Sequence, residues 1–156
     1  MDLGIRGKVA LVTGASSGIG EAIALALARE GARLAVSARR RELLEDVARR
    51  ATAAGAQDAF AFPSDQRDAE SLSALVRAVE ARLGGVEILV VNGGGPKPGA
   101  YSEISREDWD AAYAATMRSA LQLVNEVLPG MRRRKWGRIV ALESVSVKQP
   151  IPALVL

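Results

Sequence analysis

The chain contains no cysteine and no histidine. Without cysteine there is no disulfide framework, no thiolate nucleophile and no Cys-based zinc or iron–sulfur site. Without histidine there is no Ser-His-Asp triad and no His metal site, and the net charge hardly changes between about pH 5 and 8. Long apolar runs are missing too: none approaches the ~18 residues of a membrane span, and Val86–Val91 already includes Glu87. Met1–Lys8 does not combine a charged stretch with an apolar signal region. The expectation is a cytoplasmic protein without metal or membrane contact. An excess of one charge sign is also lacking, because 21 Lys and Arg oppose 18 Asp and Glu for a net +3. That surplus is too small for a nucleic-acid-coating protein. What remains is ordinary globular composition, 49% apolar and 25% charged over 156 residues, which suits one domain with a real core.

Short apolar runs alternate with longer helical patterns. Val9–Thr13 reads as a buried strand and Ile19–Glu30 as a helix stopped by Gly31. Arg33–Ser37 is a second strand, Arg41–Ala54 a helix closed by Gly55, and Ala59–Phe62 a third strand before Pro63. Asp68–Leu83 places Leu72, Leu75, Val76 and Val79 at helical spacing and ends at Gly84. Ile88–Val91 is a fourth strand running into the glycine- and proline-rich loop Asn92–Gly99. Ser105 and Asp108 match a capping box that opens a long helix towards Leu128, where Pro129-Gly130 is expected to kink or end it. Arg138–Leu142 is a fifth strand, and Pro150 and Pro152 punctuate the tail.

Strand–helix alternation with connections this long implies parallel strands and right-handed crossovers, with helices on both sheet faces. Strands that are apolar throughout agree with burial on both faces. The predicted fold class is α/β, a doubly wound parallel sheet of five strands in the order 3-2-1-4-5. Ligands of such sheets bind beyond the carboxyl ends of the strands, at the switch between strands 1 and 4. The loops after all five strands fall on that edge.

The segment Thr13-Gly-Ala-Ser-Ser-Gly-Ile-Gly20 follows the first strand and opens the first helix. Gly14 can make a tight turn, Gly18 lets backbone approach a ligand, and Gly20 lets helix and strand pack closely. The free N–H groups at that helix end suit a pyrophosphate, and the candidate residues there are Gly14, Ser16, Ser17, Gly18, Ile19 and Gly20. About 20 residues past such a loop, NAD-binding folds place an acid on the ribose 2′-hydroxyl, whereas an Arg accommodates a 2′-phosphate. Here the second strand ends Ser37-Ala-Arg-Arg-Arg41 without an acid. NADP(H) is therefore preferred over NAD(H), with Arg39 the first contact expected and Arg40 the next. A basic first turn of the following helix is the plainer alternative, although cations there oppose the helix dipole.

The glycine spacing resembles the short-chain dehydrogenase/reductase family, particularly its oxoacyl-reductase-like members. Leu89-Val-Val-Asn-Gly-Gly94 is similar to that family's Asn-Asn-Ala-Gly segment, with Val91 and Gly93 replacing the first Asn and the Ala. Gly137-Arg-Ile-Val-Ala-Leu-Glu-Ser144 resembles the strand that delivers the catalytic Ser. The resemblance implies a Rossmann-type sheet and reversible hydride transfer between a nicotinamide cofactor and a small ketone or alcohol. It implies that Asp65 accepts from the adenine amino group with help from the Gln66 backbone, although Asp65 also reads as a turn residue before the helix at Asp68. It further implies that Asn92, Gly93 and Gly94 lie near the cofactor ribose, that Ser144 bonds the substrate carbonyl, and that helices of the Ala111–Val127 region pair in a homo-oligomer.

The sequence departs from the family pattern at the proton donor. The family's Tyr-x-x-x-Lys follows its Ser, yet the only tyrosines here are Tyr101 and Tyr113, with Ser105 and Met117 four residues on. Thr116 stands where the family usually has a proton-relay Asn, and also reads as an ordinary helix residue. The expectation is a single dinucleotide-binding domain over residues 1–156, the cofactor half of a longer enzyme, inactive alone. A non-catalytic dinucleotide-binding module is the alternative. Arg132–Lys135 beside Trp136 reads as the solvated basic end of a helix rather than a nucleic-acid patch.

Overall fold

A computed structural model describes residues 3–149, 151, 152, 154 and 155. Pro150, expected to punctuate the tail, lies outside the described residues, as do the first two of Met1–Lys8. The elements are β1 (Val9–Thr13), α1 (Gly18–Arg29), β2 (Arg33–Ala38), α2 (Arg41–Ala54), β3 (Asp58–Pro63), α3 (Ala69–Leu83), β4 (Ile88–Val91), α4 (Arg106–Tyr113), α5 (Ser119–Arg134) and β5 (Arg138–Ala141). The five strands form one sheet in the order β3-β2-β1-β4-β5, and every pair is parallel. This is the α/β arrangement expected from the alternation of patterns. Because β1 pairs with both β2 and β4, the chain reverses its winding direction there and opens a crevice at the carboxyl ends of those strands.

Alternate residues of the central strands feed two separate cores. Ala10, Val12, Leu34, Val36, Ile88 and Val90 pack beneath α1 and α2 with Ala24, Ala28, Leu44, Val47 and Ala51. Val9, Leu11, Ala35, Leu89 and Val91 face α3 and α5 with Leu72, Val76, Val79, Leu123 and Val127. Small residues on α1 let that helix lie close to the strands, which seats its N-terminus at the crevice. The edge strands are not buried on both faces as the central strands are. β3 is only half-buried, with Arg82 stacked 4.3 Å from the Phe60 ring centroid, and β5 is exposed along its length, Ile139 and Val140 at 39% and 50%. An edge strand has one neighbour instead of two, so apolar sequence alone cannot bury it.

The long helical region also differs from its expected course. Ser105 and Asp108 form the anticipated capping box, Oγ accepting from the Asp108 N–H at 3.1 Å and Oδ2 from the Ser105 N–H at 3.0 Å. A π turn, Ala114–Arg118, then separates α4 from α5. Thr116 and Ser119 hydroxyls each donate to a carbonyl four residues back at 2.7 Å, a habit that bends helices. Pro129 does not end α5, which runs on to Arg134. The carbonyl that loses its donor belongs to exposed Asn125, where water can serve, while buried Leu123, Val127, Gly130 and Met131 hold the inner face. The true stop is Lys135 at φ 53°. Of the basic cluster before it, Arg134 turns inward and donates to the Val86 carbonyl at 2.6 Å, so it is not merely a solvated helix end.

Leu89 is 0% exposed at the centre of the second core. Leu89→Ala is expected to cost about 3 kcal/mol in denaturant unfolding. Ile139→Ala, on the exposed edge, is expected to cost less than about 1 kcal/mol.

Candidate functional site

Four strand ends deliver their loops to one cleft of about 510 Å³. Its lining includes Gly14, Ser16, Ser17 and Ile19 after β1, Arg39 and Arg40 after β2, Asp65 and Gln66 after β3, and Asn92, Gly93 and Gly94 after β4. Gly18 and Gly20 stand in the same turn without lining the cavity.

The floor is held by a cross-link between β1 and β4. The Thr13 hydroxyl donates to the Asn92 carbonyl at 2.8 Å and accepts from the Asn92 N–H at 3.0 Å. The Asn92 amide nitrogen donates in turn to the carbonyls of Thr13 and Gly14, each at 3.2 Å. A Cβ on Gly20 would fall on the Gly14 carbonyl and 2.6 Å from the Asn92 amide nitrogen. Gly20 is thus a glycine of close approach. Gly18, at φ +61° with open space where a Cβ would stand, is instead a glycine of backbone conformation.

Above this floor the first turn of α1 faces the cavity. Ser17 is the N-cap residue, but its hydroxyl does not cap the helix. Instead Ser16 and Ser17 hydroxyls both accept from the Arg40 guanidinium at 3.1 Å. Arg40 is the N-cap of α2 and Arg41 its first residue, so these cations sit against the dipole of their own helix. Reaching across to the glycine turn places the Arg40 charge at the mouth of the cleft, and Arg39 lies beside it.

Asp65 occupies the far wall. Arg67 grips its carboxylate, Nη2 donating to Oδ2 at 2.6 Å and Nε to Oδ1 at 3.0 Å. This fork holds the carboxyl down to about 2 against the opposing effect of burial, with the Arg67 N–H and the charges of Arg67 and Arg39 adding. Oδ1 also accepts from the Arg67 N–H at 3.0 Å, so the carboxylate is engaged by backbone and side chain of the same residue. Ser71 orients the same loop, its hydroxyl accepting from the Asp65 N–H at 3.1 Å.

Sequence reasoning did not single out Ser64, Arg67, Gly95 or Ala115, all of which line the cleft. The Asp65–Arg67 spacing was the available signal for one of them. Neither Ser144 nor Thr116 lines it. Ser144 caps the short turn Val145–Val147, accepting from the Ser146 N–H at 3.1 Å and from the Ser146 hydroxyl at 2.8 Å. Thr116 is exposed in the π turn, with its hydroxyl committed to the Ala112 carbonyl. Among the described residues no group of three or more His, Cys, Asp or Glu could hold a metal ion, and no helix is long and apolar enough to cross a membrane.

Residues 8–156 match the family model described as short chain dehydrogenase. The chain belongs to the short-chain dehydrogenase family. It is 34% identical over 139 residues to the 3-oxoacyl-(acyl-carrier-protein) reductase FabG of Staphylococcus aureus, covering 88% of this chain and 56% of that protein. Its fold matches the L-sorbose reductase of Gluconobacter frateurii, solved with NADPH and L-sorbose, at a TM-score of 0.93 and 36% identity, over 97% of this chain and 57% of that one. It also matches a metagenomic short-chain oxidoreductase solved with NADP, at a TM-score of 0.88 and 35% identity, over 96% and 69%. The chain spans about half the length of several curated relatives, 56% in each case.

Two outcomes follow from this geometry. Gly20→Ala is expected to lose about 3 kcal/mol of stability, because both obstructing groups belong to the fixed β1–β4 cross-link. Gly18→Ala is expected to lose only the left-handed backbone penalty of about 1–2 kcal/mol, and denaturant titration of the two variants separates the causes. The Asp65–Arg67 pair gives a pH signature. Since folding lowers the Asp65 pKa, its stabilisation is complete above the ordinary value of 3.8 and is lost as pH falls towards about 2. The stability difference between the native chain and Asp65→Asn should therefore be flat above about pH 5 and shrink across that window, as read by urea unfolding at successive pH values.

Proposed function

We propose that this chain is one dinucleotide-binding domain that holds NADP(H), within an oxidoreductase reducing a small ketone or oxidising the corresponding alcohol. The observation that carries the cofactor reading is Arg40, whose guanidinium is fixed by Ser16 and Ser17 over the N-terminus of α1. A cation held there suits a 2′-phosphate, while the helix N–H groups below suit the pyrophosphate. A cleft of about 510 Å³ with open space at Gly94 and Gly95 suits a ligand that passes close to backbone. Both solved relatives named above were crystallised with NADPH or NADP.

When bound, the nicotinamide supplies or accepts the hydride. The protein's own residues bind and orient. Asp65 accepts from the adenine amino group with help from the Gln66 backbone, Arg40 and Arg39 pair with the 2′-phosphate, and Asn92, Gly93 and Gly94 bound the ribose side. Ser144 is the residue proposed to orient a substrate carbonyl. Neither Tyr101 nor Tyr113 has a Lys four residues on, so these two tyrosines are not assigned the proton step. A second reading is a module that binds the dinucleotide without turning it over, and pairing with further copies of the chain belongs to the same proposal.

Arg40→Ala is expected to weaken NADP(H) binding about ten- to a hundredfold, the worth of charge-assisted hydrogen bonds. NAD(H) affinity should change less than about threefold, since it carries no 2′-phosphate. Equal losses for the two cofactors in a fluorescence titration would contradict the role of Arg40. Residues 1–156 alone are expected to show no NADPH-dependent reduction of ketones, and turnover by a preparation of verified mass would overturn that expectation.

A further inference from the structure

We propose that Gln66 is a positioning residue whose side chain straps the loop after β3 to the loop after β4, and that Gly93 is matched to it. In the sheet order β3 and β4 are separated by β2 and β1, roughly 14 Å at the usual strand spacing. No backbone ladder can join their loops directly. The Gln66 amide nitrogen nevertheless donates to the Asn92 carbonyl at 2.8 Å, so the two loops lean towards each other over the carboxyl ends of the strands between them. The same carbonyl accepts from the Thr13 hydroxyl at 2.8 Å, which fills both of its lone pairs. A Cβ on Gly93 would fall 2.6 Å from the Gln66 amide oxygen. Gln66 is flexible and can swing aside, so a side chain at position 93 would dislodge the strap without unfolding the loop.

The consequence concerns the width of the cleft. Asp65 adjoins Gln66 in the loop after β3 and Gly94 adjoins Gly93 in the loop after β4, and both line the cleft, so the Gln66 side chain ties the adenine wall to the ribose wall. This inference rests on the dinucleotide reading above.

A double-mutant cycle on the full chain tests it, with NADP⁺ as ligand and calorimetric titration at about pH 7.5. Gln66→Met, which keeps the length and removes the donor, and Gly93→Ala are each expected to weaken binding about three- to tenfold, the worth of one neutral hydrogen bond. The double variant should be no weaker than the weaker single variant, because both remove the same bridge. Gln66→Glu should be weak at about pH 7.5 and recover relative to the native chain at about pH 3.5, below the ordinary Glu value of about 4.3, where a protonated carboxyl can donate as the amide does. Additive losses, an undiminished Gln66→Met, or a Gln66→Glu variant without acid recovery would each overturn the strap while leaving the dinucleotide reading in place. Absence of saturable NADP⁺ binding by the unaltered chain would instead defeat that reading, and the strap with it.

Discussion

The whole cleft depends on how closely the end of β4 approaches the turn after β1. At that point the Gly14 carbonyl, the Asn92 side chain and the start of α1 share a space with no room for a further carbon atom. Asn92 answers every polar group it meets there, through two backbone carbonyls and the Thr13 hydroxyl. Buried polar networks of this kind rigidify a site only when each member is satisfied, and among the described residues no buried side-chain nitrogen or oxygen lacks a partner. A rigid floor leaves the N–H groups of α1 aimed at a fixed place, which is what an anion site at a helix terminus requires.

Charge in the cleft comes from three guanidinium groups and one carboxylate. Arg39, Arg40 and Arg67 line the cleft with a single carboxylate, Asp65, whose pKa Arg67 and the charge of Arg39 lower. The arrangement leaves a net positive cavity in a chain whose overall excess is only +3. Local placement rather than total charge therefore determines what the cleft attracts. Members of one family can differ in cofactor preference through a few residues at a strand end while sharing the entire sheet.

Much of this architecture was legible in the residues because its signals are local. Buried parallel strands read as short apolar runs, helices carry a 3.6-residue period and glycine stops, and the capping box at Ser105 fixes a helix start. β1, α2 and β4 begin and end at the residues the pattern indicates. The features that escaped depend on partners distant in sequence. Pro129 stays within α5 because tertiary packing holds the inner face, and the π turn at Ala114–Arg118 follows from hydroxyl-to-backbone bonds that a periodicity does not display. Likewise Arg39 and Arg40 are equivalent in composition, and only the path of the chain shows that Arg40 is the one bonded to Ser16 and Ser17. The side chain of Gln66 acts across the cleft on Asn92, which no spacing rule encodes.

The pairing of β1 with β4 has a consequence for the order in which the molecule assembles. Ala10 faces Ile88 across that ladder, whereas β1–β2 and β2–β3 join segments roughly 25 residues apart. Closing the longer loop has the greater entropic cost, and a chain emerging from synthesis must wait for β4 to appear. The three-stranded half can form first, presenting the glycine turn without Asn92 beneath it. Completion of the cleft floor is thereby deferred to the docking of β4, and a nascent chain that has stalled before β4 has the glycine turn without the floor beneath it.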